Sequence, residues 1–342
     1  MRTLYYILAV LLFISLGCTG QAPLMPGPSD MAGSYGDGDQ SLEFIGSETV
    51  TTPVREQNPP PVGYTWFPDV LEPHYIVSEE QFLTSDNGNQ IWVEVTRPVW
   101  SCPTFPCHAL VLVTGGIQPG SVWHAPWRKC STTHWAKAGF ICLIIDFQGR
   151  GHSEGTEDWN GLVHRQDLKT AINYINSRDD ILPGGVGLVS SSWGCTVATA
   201  TLADHPELNV RFYVDLEGAH NRFTSTQWND PYWVDTWDGH TTDDDEFWDT
   251  REAITYMPFV TTPYIRVQSN VDHSFDYFYA DHAIDMVNAA ISGASPYARM
   301  NNNEPNVILE YDLADTYLYE NIDKIDEILY MYVVQASMTD FE

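Results

Sequence analysis

This sequence predicts a mostly parallel, doubly wound α/β domain, and three observations predict it. Two stretches of alternating polarity, residues 74–83 and 90–97, open the folded part. Continuous apolar runs of strand length follow at 108–114 and 140–146, the pattern of strands buried on both faces. Helical stretches then separate further strand-like runs to the end of the chain.

The elements follow in order. Asp86-Asn87-Gly88 lies between the first two strands and reads as a hairpin turn, because Gly accepts the positive φ that a tight turn requires. The run HALVLVT (108–114) leads to a helical stretch over 123–138, and FICLIID (140–146) to a helix over 162–176 with Ile172 and Ile175 on one face. Strand 185–189, helix 193–203 and strand 210–216 come next. Strand 264–268, helix 280–291, strand 307–311 and helix 322–333 complete the alternation. Residues 218–258 break it: they are rich in Trp, Asp and Thr, carry no strand pattern, and read as a lid-like insertion over the site.

Composition bounds the function. With 43% hydrophobic residues in 342, the chain can bury a sizeable core. Its 16 basic residues against 46 acidic ones leave a net charge of −30, which excludes a simple nucleic-acid binder and would repel an anionic membrane surface. The acidity reads as a device for solubility.

The amino terminus carries an address. Arg2, an apolar run over 4–16 and Gly17 form a signal peptide over 1–17. Gly17-Cys18 resembles a lipobox, which implies cleavage before Cys18 and lipid on its thiol. Residues 18–61, rich in Gly, Pro, Ser and Thr, read as a disordered tether, and 62–342 as the folded domain. The body is then expected outside the cytoplasm, lipid-anchored or secreted, where cysteines can pair. Cys102 and Cys107 flank a short Pro-containing loop and are the expected disulfide. A Cys130–Cys142 link is compatible with the pattern, and Cys195 reads as a small buried residue. No Cys/His spacing suggests zinc, and no metal or cofactor is expected.

The chemistry centres on Gly187-Leu188-Val189-Ser190-Ser191-Ser192-Trp193-Gly194. A strand running through a tight turn straight into a helix exposes its central Ser and aims the next backbone N–H at a reacting carbonyl oxygen. Small residues are needed two before and two after that Ser; only Ser192 has Gly194 two places later, with Ser190 two before. Ser192 is therefore the candidate nucleophile.

Two further segments fit. Thr114-Gly115-Gly116-Ile117 follows the first parallel strand, and Asp146-Phe147-Gln148-Gly149-Arg150-Gly151-His152-Ser153-Glu154-Gly155 follows the second. The latter lacks the Lys-Ser/Thr of a phosphate loop. It resembles the D-x-x-G-x-G-x-S-x-G segment of the α/β-hydrolase superfamily, with a Ser-Glu-Gly ending most similar to the cocaine-esterase and Xaa-Pro-peptidase branch. The resemblance covers residues 71 to the carboxyl terminus. It implies the α/β-hydrolase fold, a serine nucleophile, and an oxyanion hole formed by the N–H of Trp193 with that of Gly116 or Ile117.

The resemblance also places an acid after strand 264–268, where Ser269-Asn270-Val271-Asp272 makes Asp272 the match. The family's His belongs after the last strand, yet no His follows His282. A Ser hydroxyl needs a base, so another His must serve. His273 is the first candidate and His220 the second, with Glu217, Asp215 or Glu252 as alternative orienting carboxylates; His282 is expected on a helix surface and His240 in the insertion.

Within the insertion, Asp230, Asp235, Asp238, Asp243, Asp244 and Asp245 lack the order of a calcium loop and read as a solvated face. Trp228, Trp233, Trp237 and Trp248 either line an acyl pocket or pack the lid down. The expected activity is hydrolysis of an ester or peptide through an acyl-enzyme, on a small-molecule or peptide substrate. The alternative is a catalytically silent surface binding protein, motivated by the missing His.

Overall fold

The computed structural model describes residues 76–101, 106–125, 128–227, 229–269, 272, 281–311 and 325–341. Among the described residues, eight strands form one sheet: β1 (Ile76–Thr84), β2 (Gln90–Pro98), β3 (Cys107–Val113), β4 (Ile141–Ile145), β5 (Ile181–Ser191), β6 (Phe212–Leu216), β7 (Tyr264–Val267) and β8 (Ala298–Met300). Their spatial order is β1-β2-β4-β3-β5-β6-β7-β8. The β1–β2 and β2–β4 pairs are antiparallel, and every other pair is parallel. Gly88, with φ 92°, turns the opening hairpin.

The first helices are α1 (Thr132–Lys137), α2 (Leu162–Asn176) and α3 (Gly194–Asp204). The insertion carries four short ones, α4 (Arg222–Ser225), α5 (Pro231–Thr236), α6 (Asp245–Trp248) and α7 (Ala253–Tyr256). α8 (Asp281–Ser292) and α9 (Ile325–Met338) follow. Alternation along each strand sorts the core into two layers. Val111, Val113 and Leu143 pack with Leu168, Ile172, Ile284 and Met286 on the face of α2, α3 and α8. Leu110, Leu112, Ile144 and Val214 pack with Trp135, Leu329 and Tyr332 on the face of α1 and α9.

Three sequence expectations need correction. The stretch 123–138 is not one helix: a 3₁₀ turn covers Gly120–His124 and α1 begins only after Ser131 caps it. Pro126 in the sequence has no N–H to continue a helix. Residues 307–311 are not a strand; among the described residues the last one is the three-residue β8, paired with β7. Leu309 is instead clamped by a side chain of α8: its N–H donates to Asn288 Oδ1 at 2.8 Å, and Asn288 Nδ2 donates to Leu309 O at 3.0 Å.

The third is the Cys130–Cys142 link, which does not form. No disulfide forms among the described residues, and Cys102, the expected partner of Cys107, lies outside them. Cys130 and Cys142 both pack as apolar groups in the layer beneath α1 and α9, and burial pushes both thiols up. Cys18, the signal segment and the tether also lie outside the described residues.

Candidate active site

The β5–α3 junction is a sharp elbow. Ser192 sits between the strand and the helix with φ 51°, a left-handed conformation that a non-glycine residue rarely adopts. Its N–H donates to Leu216 O at 2.9 Å, tying the turn to the end of β6. Ser192 is half-buried, whereas Ser190 is wholly buried, with its hydroxyl 2.9 Å from Tyr213 Oη and 3.2 Å from Asp215 Oδ1.

The close approach of neighbouring chains explains the small residues. A Cβ on Gly115 would stand 2.6 Å from Ser192 Cβ, and one on Gly194 would stand 2.6 Å from Thr114 O. The β3–α1 loop thus lies directly against the elbow. Gly116, with φ 59°, carries it onward to the exposed Ile117. Trp193 is buried, with ring centroids 4.3 Å from Trp237 and 5.2 Å from Trp233. The insertion therefore rests on the residue that follows Ser192.

The second predicted loop is pinned by its own side chains. Ser153 Oγ accepts from Trp92 N and donates to Asp146 O, while Glu154 Oε2 accepts from Gln90 N. Asp146 Oδ1 accepts from Gly120 N and Oδ2 from His152 N. The Asp and the Ser-Glu pair hold the turn against β2 and the loop after β3.

Asp272 is buried beyond the carboxyl end of β7. Its Oδ2 accepts from Gln268 Nε2 at 2.8 Å and lies 3.2 Å from His282 Nε2. His282, expected on a helix surface, is instead 2% exposed. Its ring centroid is 5.8 Å from that of His220. His220 is buried too: Nδ1 lies 3.1 Å from Thr224 Oγ1, and Nε2 lies 3.4 Å from Asp285 Oδ2. Burial pulls its imidazole below the usual range, against the opposing pull of Asp285. His273, the first candidate base, lies outside the described residues. Among the described residues, none hydrogen-bonds the Ser192 hydroxyl.

The alternative carboxylates are engaged elsewhere. Glu217 Oε1 accepts from Ser269 N and Ser269 Oγ, bracing the loops after β6 and β7. Glu252 accepts from the backbone N–H and Nε of Arg222 at 2.9 Å each. Asp215 and Arg266 form a pair at 2.6 Å, both wholly buried.

That pair was missed by the sequence reading, although a signal existed. Arg266 interrupts an apolar strand, Asp215 interrupts the neighbouring one, and parallel register sets them side by side. Buried charges occur in such pairs. Burial opposes the Arg266 charge most strongly, and Asp215, with Tyr264, Cys195 and Asp272, together outweighs it and holds the guanidinium above its usual range. Arg266 Nε and Nη2 donate to Gln268 Oε1 at 3.1 and 2.7 Å, and Gln268 passes the line to Asp272. One buried polar chain thus runs from Ser190, beneath the elbow, to Asp272 and His282.

Three acidic residues of the insertion have local partners. Asp230 and Asp244 cap α5 and α6, and Asp245 pairs with Arg222. Trp237 and Trp248 are 1% and 0% exposed and pack the insertion together, while Trp228 lies outside the described residues. A cavity of about 520 Å³ opens beside α4, lined by Asn221, Arg222, Phe223, Thr242, Asp245 and Glu252.

Known proteins share this arrangement in part. The sequence profile of the X-Pro dipeptidyl-peptidase (S15) family matches residues 87–215, from the opening hairpin to β6. No curated protein sequence matches the chain. Among solved structures, prolyl oligopeptidase B of Galerina marginata is similar over 78% of this chain and 37% of its own, with a TM-score of 0.57 and 13% identity. The chain therefore spans little more than a third of that enzyme. An esterase of Pyrococcus furiosus is similar over 82% of this chain and 95% of its own, with a TM-score of 0.54 and 12% identity. The fold is the α/β-hydrolase fold.

Proposed function

We propose that this protein is a serine hydrolase of the peptidase or esterase type, with Ser192 as its nucleophile. The observation that carries the reading is the left-handed φ of 51° at Ser192, in a strand–helix elbow packed against Gly115. Backbone strain of this kind is costly and persists where the surrounding structure enforces it. The S15 match over 87–215, and the peptidase and esterase that share the fold, support the chemistry. In this reading Ser192 Oγ attacks a carbonyl carbon, a His takes the hydroxyl proton, and backbone N–H groups hold the oxyanion. The adduct collapses, the His returns its proton to the departing alcohol or amine, and water then hydrolyses the acyl-Ser192 ester, freeing the acid and the Ser hydroxyl.

Asp272 is the orienting acid. Its carboxylate stands 3.2 Å from His282 Nε2, an ion-pair distance. His282 therefore joins His273 and His220 as a candidate base. The site belongs to a domain lipid-anchored through Cys18 or secreted, acting on a small-molecule or peptide carbonyl.

The test is labelling by a fluorophosphonate probe in the intact chain. Labelling abolished by Ser192→Ala supports the reading. A wild-type protein inert to the probe favours the second reading, a binding module without turnover. That alternative draws on the sequence, in which no His follows His282.

A further inference from the structure

We propose that Arg150 is the positioning residue of the oxyanion site: its guanidinium clamps the peptide that carries the Ile117 N–H and, through Asn160, the turn that carries the Trp193 N–H. The assignment rests on the hydrolase reading above and deepens it. Arg150 is buried and held in one orientation. Its Nε and Nη2 donate to the two oxygens of Glu157 at 2.7 and 2.6 Å, a bidentate pairing that fixes the plane of the fork. Two further bonds leave that fixed plane. Nη1 donates to Gly116 O at 3.2 Å, and Nη2 donates to Asn160 Oδ1 at 3.0 Å. Asn160 is buried as well, and its Nδ2 donates to Trp193 O at 3.0 Å. One side chain therefore reaches both walls of the site.

Peptide geometry converts these bonds into donor orientation. The Gly116 carbonyl and the Ile117 N–H belong to one planar trans unit and point in opposite directions. A guanidinium on the carbonyl side turns the Ile117 N–H away from itself. Little else restrains that peptide: Gly116 has φ 59° and no atom within 4 Å of where a Cβ would stand, and Ile117 is 48% exposed. On the opposite wall, the Asn160 bond anchors Trp193 as it enters α3, with its own N–H one peptide earlier. Preorganised donors matter because they need no reorganisation as charge develops. The guanidinium also sets a fixed positive charge one peptide away from the oxyanion.

The test uses Arg150→Ala and Asn160→Ala in the intact chain. Three quantities are read: the rate of fluorophosphonate labelling, kcat and KM on p-nitrophenyl acetate, and inhibition by a boronic acid, whose tetrahedral adduct occupies the oxyanion site. Arg150→Ala is expected to lower kcat about a hundredfold with KM nearly unchanged, the loss typical of one oxyanion donor. Boronate affinity should fall by a similar factor, the pH profile should keep its shape, and added guanidinium ion should restore part of the rate. Asn160→Ala should show the same pattern with a smaller loss. It leaves the Arg150–Glu157 pair intact, so it carries the test if Arg150→Ala does not fold. Folded variants with wild-type kcat and boronate affinity overturn the assignment, as does a rise in KM alone, which would make Arg150 a substrate-binding group. A reactive wild type with equally reactive variants overturns only this inference. An inert wild type overturns the hydrolase reading beneath it.

Discussion

His282 Nε2 stands 3.2 Å from Asp272 Oδ2, and both side chains are buried at the carboxyl edge of the sheet. In the hydrolase reading Asp272 is the acid and His282 a candidate base. His282→Ala is therefore expected to lower fluorophosphonate labelling of Ser192 by about a hundredfold or more, the usual contribution of a general base. Asp272→Asn should lower it in the same direction. Full labelling in His282→Ala, together with loss in His273→Ala or His220→Ala, would move the base to that residue.

Gly115 is predicted to tolerate no side chain. A Cβ there would meet Ser192 Cβ at 2.6 Å and Ser191 O at 3.0 Å. Gly115→Ala should destabilise the fold by about 1–3 kcal/mol, the range for overpacking, and should suppress labelling of Ser192 more than it lowers Tm. Thermal unfolding and labelling measured on the same sample check both effects. A variant that labels normally would show that the elbow can shift.

The Asp215–Arg266 pair should be costly to break and cheaper to replace. Asp215→Asn or Arg266→Met alone leaves one group buried without its partner, and each is expected to cost about 3–5 kcal/mol in denaturant unfolding. The double variant Asp215→Leu, Arg266→Met should cost less than either single one. Equal losses in all three would mean that the pair contributes only through packing.

Stability should fall on acidification, and His164 should contribute to that fall. Burial first, and the charges of Arg150 and Arg251 next, hold its imidazole well below the usual value of 6.5. Its Nδ1 accepts from Asn160 N at 3.1 Å, which requires the neutral ring. With the folded pKa depressed, the unfolded chain takes up the proton first. The contribution is thus complete above the unfolded value and is lost as pH falls towards the folded one. Denaturant midpoints from about pH 8 to about pH 5 should drop more steeply in the wild type than in His164→Gln. Parallel curves would remove His164 from the account.

The sheet and the elbow were legible because their signals are local. The apolar runs of β3 and β4 are each continuous in sequence, and helix 162–176 appears with the predicted bounds. The elbow needs one strand, one tight turn and small residues two away on either side of Ser192, all within eight positions. β8 was illegible: three residues are too few to show a period, and the apolar stretch 307–311 imitated a strand while binding Asn288 of α8. The environment of His282 was hidden as well, since the helical pattern does not reveal which groups a loop folds back onto it.

The sequence by itself determined strands β1 to β7, helices α2, α3 and α8, the place of Ser192 in the elbow, and the glycines that let neighbouring chains approach it. These follow from short-range stereochemistry and hydrophobic period. Only the tertiary structure decided which groups meet: Arg266 with Asp215, Asp272 with His282, and Arg150 with both Gly116 and Asn160. Arg150 and Gly116 stand 34 positions apart, and Arg266 and Asp215 51. Such contacts are set by sheet register and loop closure, so they form only when the whole sheet does.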